Sequence, residues 1–309
     1  MSIRTDVPLT VVPVPGHGAE DVLVAPDGTV YTGTEDGAVH AIEDGGRRIR
    51  RVGYTGGRPL GLELLGDGRL LVCDARRGLL ALDPVDGAVE VLQADVDGVP
   101  MRFCNNAAVG SDGTIWFSDS SRVHPIERWK ADFVEDTRTG RLLRRDPDGA
   151  VTTVLTGLAF ANGVALAADE GFVVVAETAG RTLVRRWLTG PRAGEQDLLA
   201  EDLPGYPDNI ARGSDGLVWV TIASPFDPVV ERLRRGPMPL RKLVTRIPAA
   251  LQPKPKRTVR VQAYDDAGTL VHDVSCEASA YHMATGVREH DGRVWIGSLQ
   301  EPAVAWFTP

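Results

Sequence analysis

The sequence predicts an all-β fold, a six-bladed β-propeller forming a single domain over residues 1–309, with two long loop insertions on the active-site face. Three observations predict it. A turn phrase built on Asp-Gly recurs six times. Each turn is followed by one short apolar strand and then a second. Gly 34 and Pro 21 together make roughly 18% of the 309 residues, against about 12% on average, which favours many short strands over long helices.

The turns, in order, are Asp27-Gly28, Asp67-Gly68, Asp112-Gly113, Glu170-Gly171, Asp215-Gly216 and Asp291-Gly292. Asp-Gly between apolar runs marks a hairpin, because glycine adopts the positive φ that a tight turn demands. The later strands are expected at 37–43, 78–83, 140–146, 181–187, 258–264 and 303–307. Apolar stretches also precede the turns, as at 21–25, 60–65 and 164–167, so each unit holds three or four strands. Four-stranded units repeating at about 40–50 residues identify a propeller. A pair of β-sandwiches would not repeat one phrase six times.

Successive turn glycines stand 40, 45, 58, 45 and 76 residues apart. The two long intervals place insertions at 120–139 and 223–257, each after the second strand of its unit. Long loops in a compact domain are commonly functional. The second insertion, punctuated by Pro237, Pro239, Pro253 and Pro255, has room for a short helix.

A net charge of −8 and a pI near 5.3 argue against a nucleic-acid-binding surface. Arg232, Arg234, Arg235, Arg241, Lys242, Arg246, Lys254, Lys256, Arg257 and Arg260 form one basic stretch. It reads as a solvated loop, with contact to an anionic surface as the alternative. Cys73, Cys104 and Cys276 contain no CxxC pair and make no disulfide framework, which fits a reducing compartment. Residues 1–8 lack the apolar core of a signal peptide. No uncharged apolar run reaches the ~18 residues that span a bilayer. The expected protein is cytoplasmic, with a small-molecule substrate, no nucleic-acid partner and no membrane span. Its oligomeric state stays open.

Eight residues before each turn glycine stand Glu20, Leu60, Asn105, Asn162, Asp208 and Ala284, counting nine in the fourth unit for its longer turn. In a propeller these positions start the innermost strands and ring the mouth of the central tunnel. Four of them carry side-chain oxygens, and Asp21, Asn106 and Asn209 follow three of those four. Oxygen donors with no Cys or His suit a hard cation. Ca²⁺ takes about 6–8 oxygens with flexible geometry, and other divalent cations stay open. Ligands from four separate units leave positions for water and substrate, as a catalytic metal requires. Strand-end capping, or bonding to tunnel waters, is the plainer alternative.

The ends of the second strands share this face. Asp119, Ser120, Ser121, Glu177, Thr178 and Arg181 lie there, under a roof formed by the insertions. Asp119, Glu177, Asn106 and Asn209 are candidates for substrate binding, with loop capping as the alternative for the two acids. His282, two residues before Ala284, is a candidate general base, a substrate ligand or a buried structural histidine. His124 reads as an exposed loop histidine, and His17, His40, His272 and His290 as structural or solvated. Ser120 and Ser121 lack the Gly-x-Ser-x-Gly elbow of a serine hydrolase.

Several phrases resemble the strictosidine-synthase-like family. They are Phe117-Ser118-Asp119-Ser120-Ser121, Thr139-Gly140-Arg141-Leu142-Leu143, Phe160-Ala161-Asn162-Gly163-Val164, Ala176-Glu177-Thr178, Leu203-Pro204-Gly205-Tyr206-Pro207-Asp208-Asn209-Ile210 and Glu289-His290-Asp291-Gly292. Arg241-Lys242-Leu243 and Gln252-Pro253-Lys254-Pro255-Lys256 also fit. That family belongs with the gluconolactonase, SMP-30 and paraoxonase-like six-bladed propellers. The resemblance implies calcium ligands at Glu20, Asn105, Asn162 and Asp208, the four that the repeat phase selects. The plant synthases join an amine to an aldehyde with a glutamate a few residues before the Glu-His-Asp-Gly turn. Residues 282–288 of this chain contain no acid, which argues against that condensation.

The leading reading is a Ca²⁺-dependent hydrolase of a lactone or ester, with Asp208 or His282 helping to activate water. The alternatives are a metal-free condensing or ring-opening enzyme using the same pocket, and a non-catalytic ligand-binding propeller. Fold alone does not choose among them.

Overall fold

The computed structural model describes residues 3–248 and 256–309. Gln252, Pro253, Lys254 and Pro255 of the basic, proline-rich stretch lie outside the described residues. Six antiparallel blades surround a central axis. Blade one consists of Leu23–Val24, Val30–Gly33, Ala38–Glu43 and Arg48–Tyr54. Blade two consists of Pro59–Leu64, Leu70–Asp74, Gly78–Leu82 and Val89–Gln93. Cys104–Val109, Ile115–Asp119, Gly140–Arg145 and Val151–Leu158 make blade three. Ala161–Leu166, Phe172–Glu177, Thr182–Trp187 and Gln196–Ala200 make blade four. Blade five contains Gly205–Arg212, Val218–Pro225, Val259–Tyr264 and Leu270–Cys276. Blade six contains Ala284–His290, Arg293–Ser298 and Ala303–Phe307.

The N-terminus closes the ring. Thr10–Pro13 pairs antiparallel with Ala303–Phe307 as the fourth strand of blade six, with Thr10 opposite Trp306 and Pro13 opposite Ala303. Arg4–Val7 adds a parallel fifth strand to blade five. Closure pairs the two ends of the chain and leaves the barrel-like ring no open seam.

The turn phrases do their expected work. Gly28, Gly68, Gly113, Gly216 and Gly292 all have positive φ. In four of these turns the preceding aspartate also caps the backbone, as where Asp27 Oδ1 accepts from the Thr29 amide at 2.9 Å. The fourth turn differs. Glu170 takes the left-handed conformation, with φ 55°, and Asp169 caps Gly171. Glu170 is therefore the equivalent of the other glycines, and Asn162 stands eight residues before it like the rest.

Adjacent blades pack face to face. Leu23, Tyr31, Val39 and Val52 of blade one meet Leu62, Leu70, Val72, Leu80 and Leu82 of blade two. A second strand covered on both faces is apolar throughout, as Leu70–Asp74 illustrates with every residue buried. Cys73, Cys104 and Cys276 are buried and free.

The insertions carry all the α-helices of the described residues. Helix α1 (Trp129–Glu135) lies in the first, and α2 (Pro228–Arg234) and α3 (Met238–Val244) in the second. Asp227 caps α2 by accepting from the Val229 and Val230 amides, with Pro228 at the first helical position.

The basic stretch is not simply a solvated loop. Arg234 is buried and joins the two insertions, donating to the carbonyls of Phe133 and Ala179 at 3.1 and 2.7 Å and to Asp136 at 3.0 Å. Arg241 donates to the Glu135 carbonyl. His124 is also buried, 3.2 Å from Glu135, where the sequence reading expected it exposed. Tertiary packing of α1 against α2 and α3 buries both residues. Among the described residues no helix is long and apolar enough to cross a membrane.

Candidate active site

Each innermost strand begins with an irregularity of two residues. In blades two to six the pairing skips Leu60-Gly61, Asn105-Asn106, Asn162-Gly163, Asp208-Asn209 and Thr285-Gly286. Bulges re-aim side chains and end regular pairing, and they concentrate next to active sites. Glu20-Asp21 holds the same place in blade one, where Thr32 Oγ1 donates to the Asp21 carbonyl as Ser118 and Thr221 do to Asn106 and Asn209. The sixth ring position is therefore Thr285. Ala284 was the expected residue, but the last turn is one residue shorter, with His290 directly opposite Arg293.

The second residues of these pairs alternate around the tunnel: Asp21, Gly61, Asn106, Gly163, Asn209, Gly286. A Cβ on Gly61 would lie 2.6 Å from Asn106 Cα, and one on Gly286 would lie 2.5 Å from Asp21 Cα. Gly163 meets the Ile210 backbone more closely still. Glycine lets the inner strands of neighbouring blades touch. The intervening polar side chains then reach across. Asp21 Oδ2 accepts from the Leu62 amide at 3.0 Å, and Asn106 Oδ1 from the Val164 amide at 2.9 Å. Asn209 Nδ2 approaches both oxygens of Glu20 at 3.3 Å. Asn106 and Asn209, read from sequence as substrate-binding, thus lie at the ring, Asn106 Oδ1 tied to the next blade and Asn209 Nδ2 to Glu20 of blade one, with Asn209 Oδ1 buried and unpartnered.

The first residues of the pairs form the candidate site. Asn105 Nδ2 donates to Ser120 Oγ at 2.8 Å, and Asn162 Nδ2 to Thr178 Oγ1 at 3.1 Å. Both Oδ1 atoms are buried with no hydrogen-bond partner. A buried acceptor without a donor costs about 1–3 kcal/mol, so each of these oxygens calls for a partner. Glu20, buried, and Asp208, half-buried, complete the set with two carboxyls whose charged forms repel. Burial, then the charges of Asp208 and Asp21, raises Glu20 well above the usual carboxylate range. Burial, then the charge of Asp21, raises Asp208 to about 7, against a hydrogen bond from Asn162. Asp21 is raised to about 7 by burial although Arg288 and the Leu62 amide oppose it.

Among the described residues no three His, Cys, Asp or Glu side chains form a metal cluster. The set is instead two carboxylates and two amide oxygens. A divalent hard cation fits these donors: it would partner the two orphaned oxygens and relieve the repulsion between the acids.

The remaining candidates are placed as follows. Asp119 is fully buried, with Oδ2 bound by Arg141 Nε and Nη2 at 3.0 and 2.9 Å and Oδ1 accepting from the Phe103 amide. Glu177 accepts from the Ala159 amide at 2.6 Å and from Thr182 Oγ1 at 2.9 Å. Both acids tie second-strand ends to the loops beside them. The structure supplies one partner that sequence reasoning missed: Glu301 Oε1 hydrogen-bonds His282 Nδ1, and Arg257 lies 3.5 Å from the same carboxylate. Nothing in the sequence pairs residues 282 and 301. The Ser298 hydroxyl, donating to the His282 carbonyl, holds the two loops together.

The roof above the ring is apolar. Leu60, Ala75, Phe103, Ile126, Phe133, Phe160, Ala179 and Tyr206 pack as one cluster, with Phe133 edge-on to Tyr206 at 4.8 Å. Beside it an open cleft of about 570 Å³ is lined by Glu35, Arg58, Arg76, Ile126, Trp129 and Leu299, among others. Arg58 is buried, donates to the Gly18 carbonyl at 3.0 Å and lowers the proton affinity of Glu20, so it links the cleft wall to the ring.

Comparison with known proteins agrees with this architecture. The strictosidine synthase family matches residues 105–191, and the N-terminal region of strictosidine synthase-like proteins matches residues 9–42. Protein strictosidine synthase-like 10 of Arabidopsis thaliana is 36% identical over 264 residues, 80% of this chain and 68% of the relative. The adipocyte plasma membrane-associated protein of Rattus norvegicus is 32% identical over 313 residues, 93% of this chain and 82% of the relative. Among solved structures, a gluconolactonase from Xanthomonas campestris superposes with TM-score 0.71 at 17% identity, covering 97% of this chain and 89% of its own. A calcium-binding regucalcin from Agrobacterium tumefaciens superposes with TM-score 0.69 at 14% identity, covering 99% and 95%. These structural likenesses show the fold. The sequence identities, sustained over most of the chain, show that it belongs to the strictosidine synthase-like family.

Proposed function

We propose that the protein is a Ca²⁺-dependent hydrolase of a lactone or ester. One observation carries this reading: Asn105 and Asn162, held by Ser120 and Thr178, leave two buried, unpartnered amide oxygens beside the acids Glu20 and Asp208. Glu20, Asn105, Asn162 and Asp208 would hold the ion, which when bound supplies an electrophile that polarises the substrate carbonyl.

The chain's own groups supply the rest. His282 is the general base. With Nδ1 on Glu301, its Nε2 accepts the proton of the attacking water. Water oxygen adds to the carbonyl carbon, the acyl C–O bond breaks, and the proton held by His282 passes to the leaving oxygen. For a lactone, acid and alcohol stay in one molecule. Glu301 orients the imidazole through its hydrogen bond to Nδ1. The apolar roof excludes bulk water and favours a substrate with an apolar body. The likeness to a gluconolactonase supports a hydrolytic use of this fold. The absence of an acid at 282–288 counts against the amine–aldehyde condensation of the plant synthases.

The test combines elemental analysis, calorimetry with Ca²⁺, and a panel of lactones and aryl esters with and without chelator. Bound calcium and chelator-sensitive turnover are expected. No Ca²⁺ binding together with chelator-resistant turnover would establish the metal-free enzyme. Bound ion with no turnover across the panel would favour a ligand-binding propeller.

A further inference from the structure

The second insertion carries an outward face that the candidate site does not use. Residues 226–247 contain six basic residues and two acids, in a chain of net charge −8. Packing divides this segment in two. On the inner side Glu231 accepts from Tyr206 Oη at 2.9 Å, and Arg234 reaches the Phe133 and Ala179 carbonyls. Arg241 donates to the Glu135 carbonyl at 3.0 Å, and Thr245 Oγ1 to Glu135 Oε1 at 3.2 Å. Asp227 is turned into the cap of α2. Both acids of the segment are thereby engaged within the protein.

The outer side is apolar and cationic. Val229 is 76% exposed and Leu243 64%, and Met238 and Leu240 are exposed with them. Arg232, Arg235, Lys242 and Arg246 are also exposed and enter no ion pair among the described residues. Spacing sets the two kinds side by side. Leu240 and Leu243 stand three apart on α3, and Lys242 and Arg246 four apart along its neighbouring edge. Val229 and Arg232 stand three apart on α2. Residues at these spacings share a helix face. Because α2 and α3 pack against each other, their exposed side chains make one surface. Apolar residues exposed singly need no explanation, whereas a cluster rimmed by charge marks an interaction site.

Charge selects the occupant. The acidic chain as a whole repels an anionic surface, and on this face the sign is reversed. A small free anion would leave the leucines in water. A bilayer interface uses both kinds of side chain: apolar groups enter the boundary between headgroups and acyl chains, while Lys and Arg extend along their own stems to the lipid phosphates. We propose that the outer face of α2 and α3 docks the protein peripherally on an anionic phospholipid bilayer, with Val229, Leu240 and Leu243 in the interface and Arg232, Lys242 and Arg246 on the headgroups. This docking does not depend on the reaction proposed for the ring. Val230 of α2 packs on the cluster that roofs the ring, so docking brings the roofed site to the lipid surface.

The experiment is co-sedimentation of the full chain with phosphatidylcholine vesicles, with and without phosphatidylserine, across a range of salt. Binding is expected only with phosphatidylserine, and it should weaken as salt rises. Arg232→Gln/Lys242→Gln should bind about tenfold more weakly or worse. Leu240→Ser/Leu243→Ser should lose about tenfold as well. All four positions are exposed, so unchanged melting temperatures verify the fold. Arg47→Gln/Arg51→Gln removes the same charge from exposed positions on blade one and should bind like the parent. A dye placed by Leu243→Cys labelling reads insertion, since the three native cysteines are buried, and its emission should shift to the blue on the anionic vesicles. No binding to anionic vesicles, equal losses in the blade-one control, or full affinity in the serine variant would each overturn the proposal. Binding to polyglutamate with no dye shift on vesicles would overturn it in favour of an acidic protein partner.

Discussion

Asn105 donates its amide to the hydroxyl of Ser120 at 2.8 Å, and this bond leaves its Oδ1 buried and unpartnered. The same device recurs in the next blade with Asn162 and Thr178. In both blades the hydroxyl sits just past the end of the second strand and the amide at the start of the first. The hydroxyl fixes which atom of each amide the site receives.

Ser120→Ala should therefore weaken ion binding without touching a ligand. Partners that orient ligands are typically worth about 10–100-fold in metal affinity, and a loss near the lower end is expected because Asn105 itself remains. Calorimetry with Ca²⁺ on the variant and the parent checks this. Unchanged affinity would show that Ser120 does not orient the amide.

Asp208→Asn should abolish the ion's stabilising effect and at the same time stabilise the ion-free protein. The substitution removes a half-buried carboxyl whose charged form is disfavoured by burial and by Asp21, and the gain at neutral pH is on the order of 2 kcal/mol. Melting curves with calcium and with chelator read both effects. A variant that still gains stability from calcium would remove Asp208 from the ligand set.

Gly163→Ala should destabilise the propeller by about 3 kcal/mol or more, because the new Cβ runs into the rigid Ile210 backbone of the next blade. Gly28→Ala provides the control: nothing lies near its Cβ, so only the cost of its positive φ, roughly 1 kcal/mol, applies. Denaturant titration ranks the two, and equal losses would contradict the close approach of the inner strands.

Glu301→Gln should lower kcat by about tenfold with little change in KM, and His282→Ala should lower it by about a hundredfold. The first variant loses the orienting carboxylate and keeps the imidazole, so its loss should fall on kcat alone. An unchanged kcat in Glu301→Gln would reduce Glu301 to a loop tether.

Acid should weaken blade four before its core fails. Hydrogen bonds from Arg185, then from Arg192, hold the Asp197 carboxyl down at about 2. Because the folded state lowers this group's proton affinity, its contribution is present above the unfolded value of about 3.9. It fades as pH falls from there through about 2. Asp197→Asn should flatten the stability profile across that window, and pH-dependent melting of the two proteins measures the difference.

The blade number, the position of the insertions and four ring residues were legible in the sequence. They depend on local chemistry that repeats: a positive-φ turn residue, a strand of fixed length, and a residue at constant distance from the turn. That count misplaced the sixth position, naming Ala284 where Thr285 stands, because the pairing of His290 with Arg293 shortened the last turn. It also counted nine residues back from Gly171 in the fourth unit, where Glu170 serves as the positive-φ turn residue and the count is eight.

Tertiary structure alone decided who partners whom. The alternation of Asp21, Asn106 and Asn209 with glycines acquires meaning only when neighbouring blades touch. The His282–Glu301 pair joins two loops, and the buried Arg234 clamps two insertions about a hundred residues apart in sequence. Each of these depends on long-range packing, which a local periodicity does not encode. The sequence by itself determined the repeated scaffold and the oxygen-rich start of its inner strands. Packing determined which polar atoms were satisfied and which amide oxygens, those of Asn105, Asn162 and Asn209, were left without a donor, because a planar amide leaves its oxygen free where a neighbouring hydroxyl or carboxylate has taken its nitrogen.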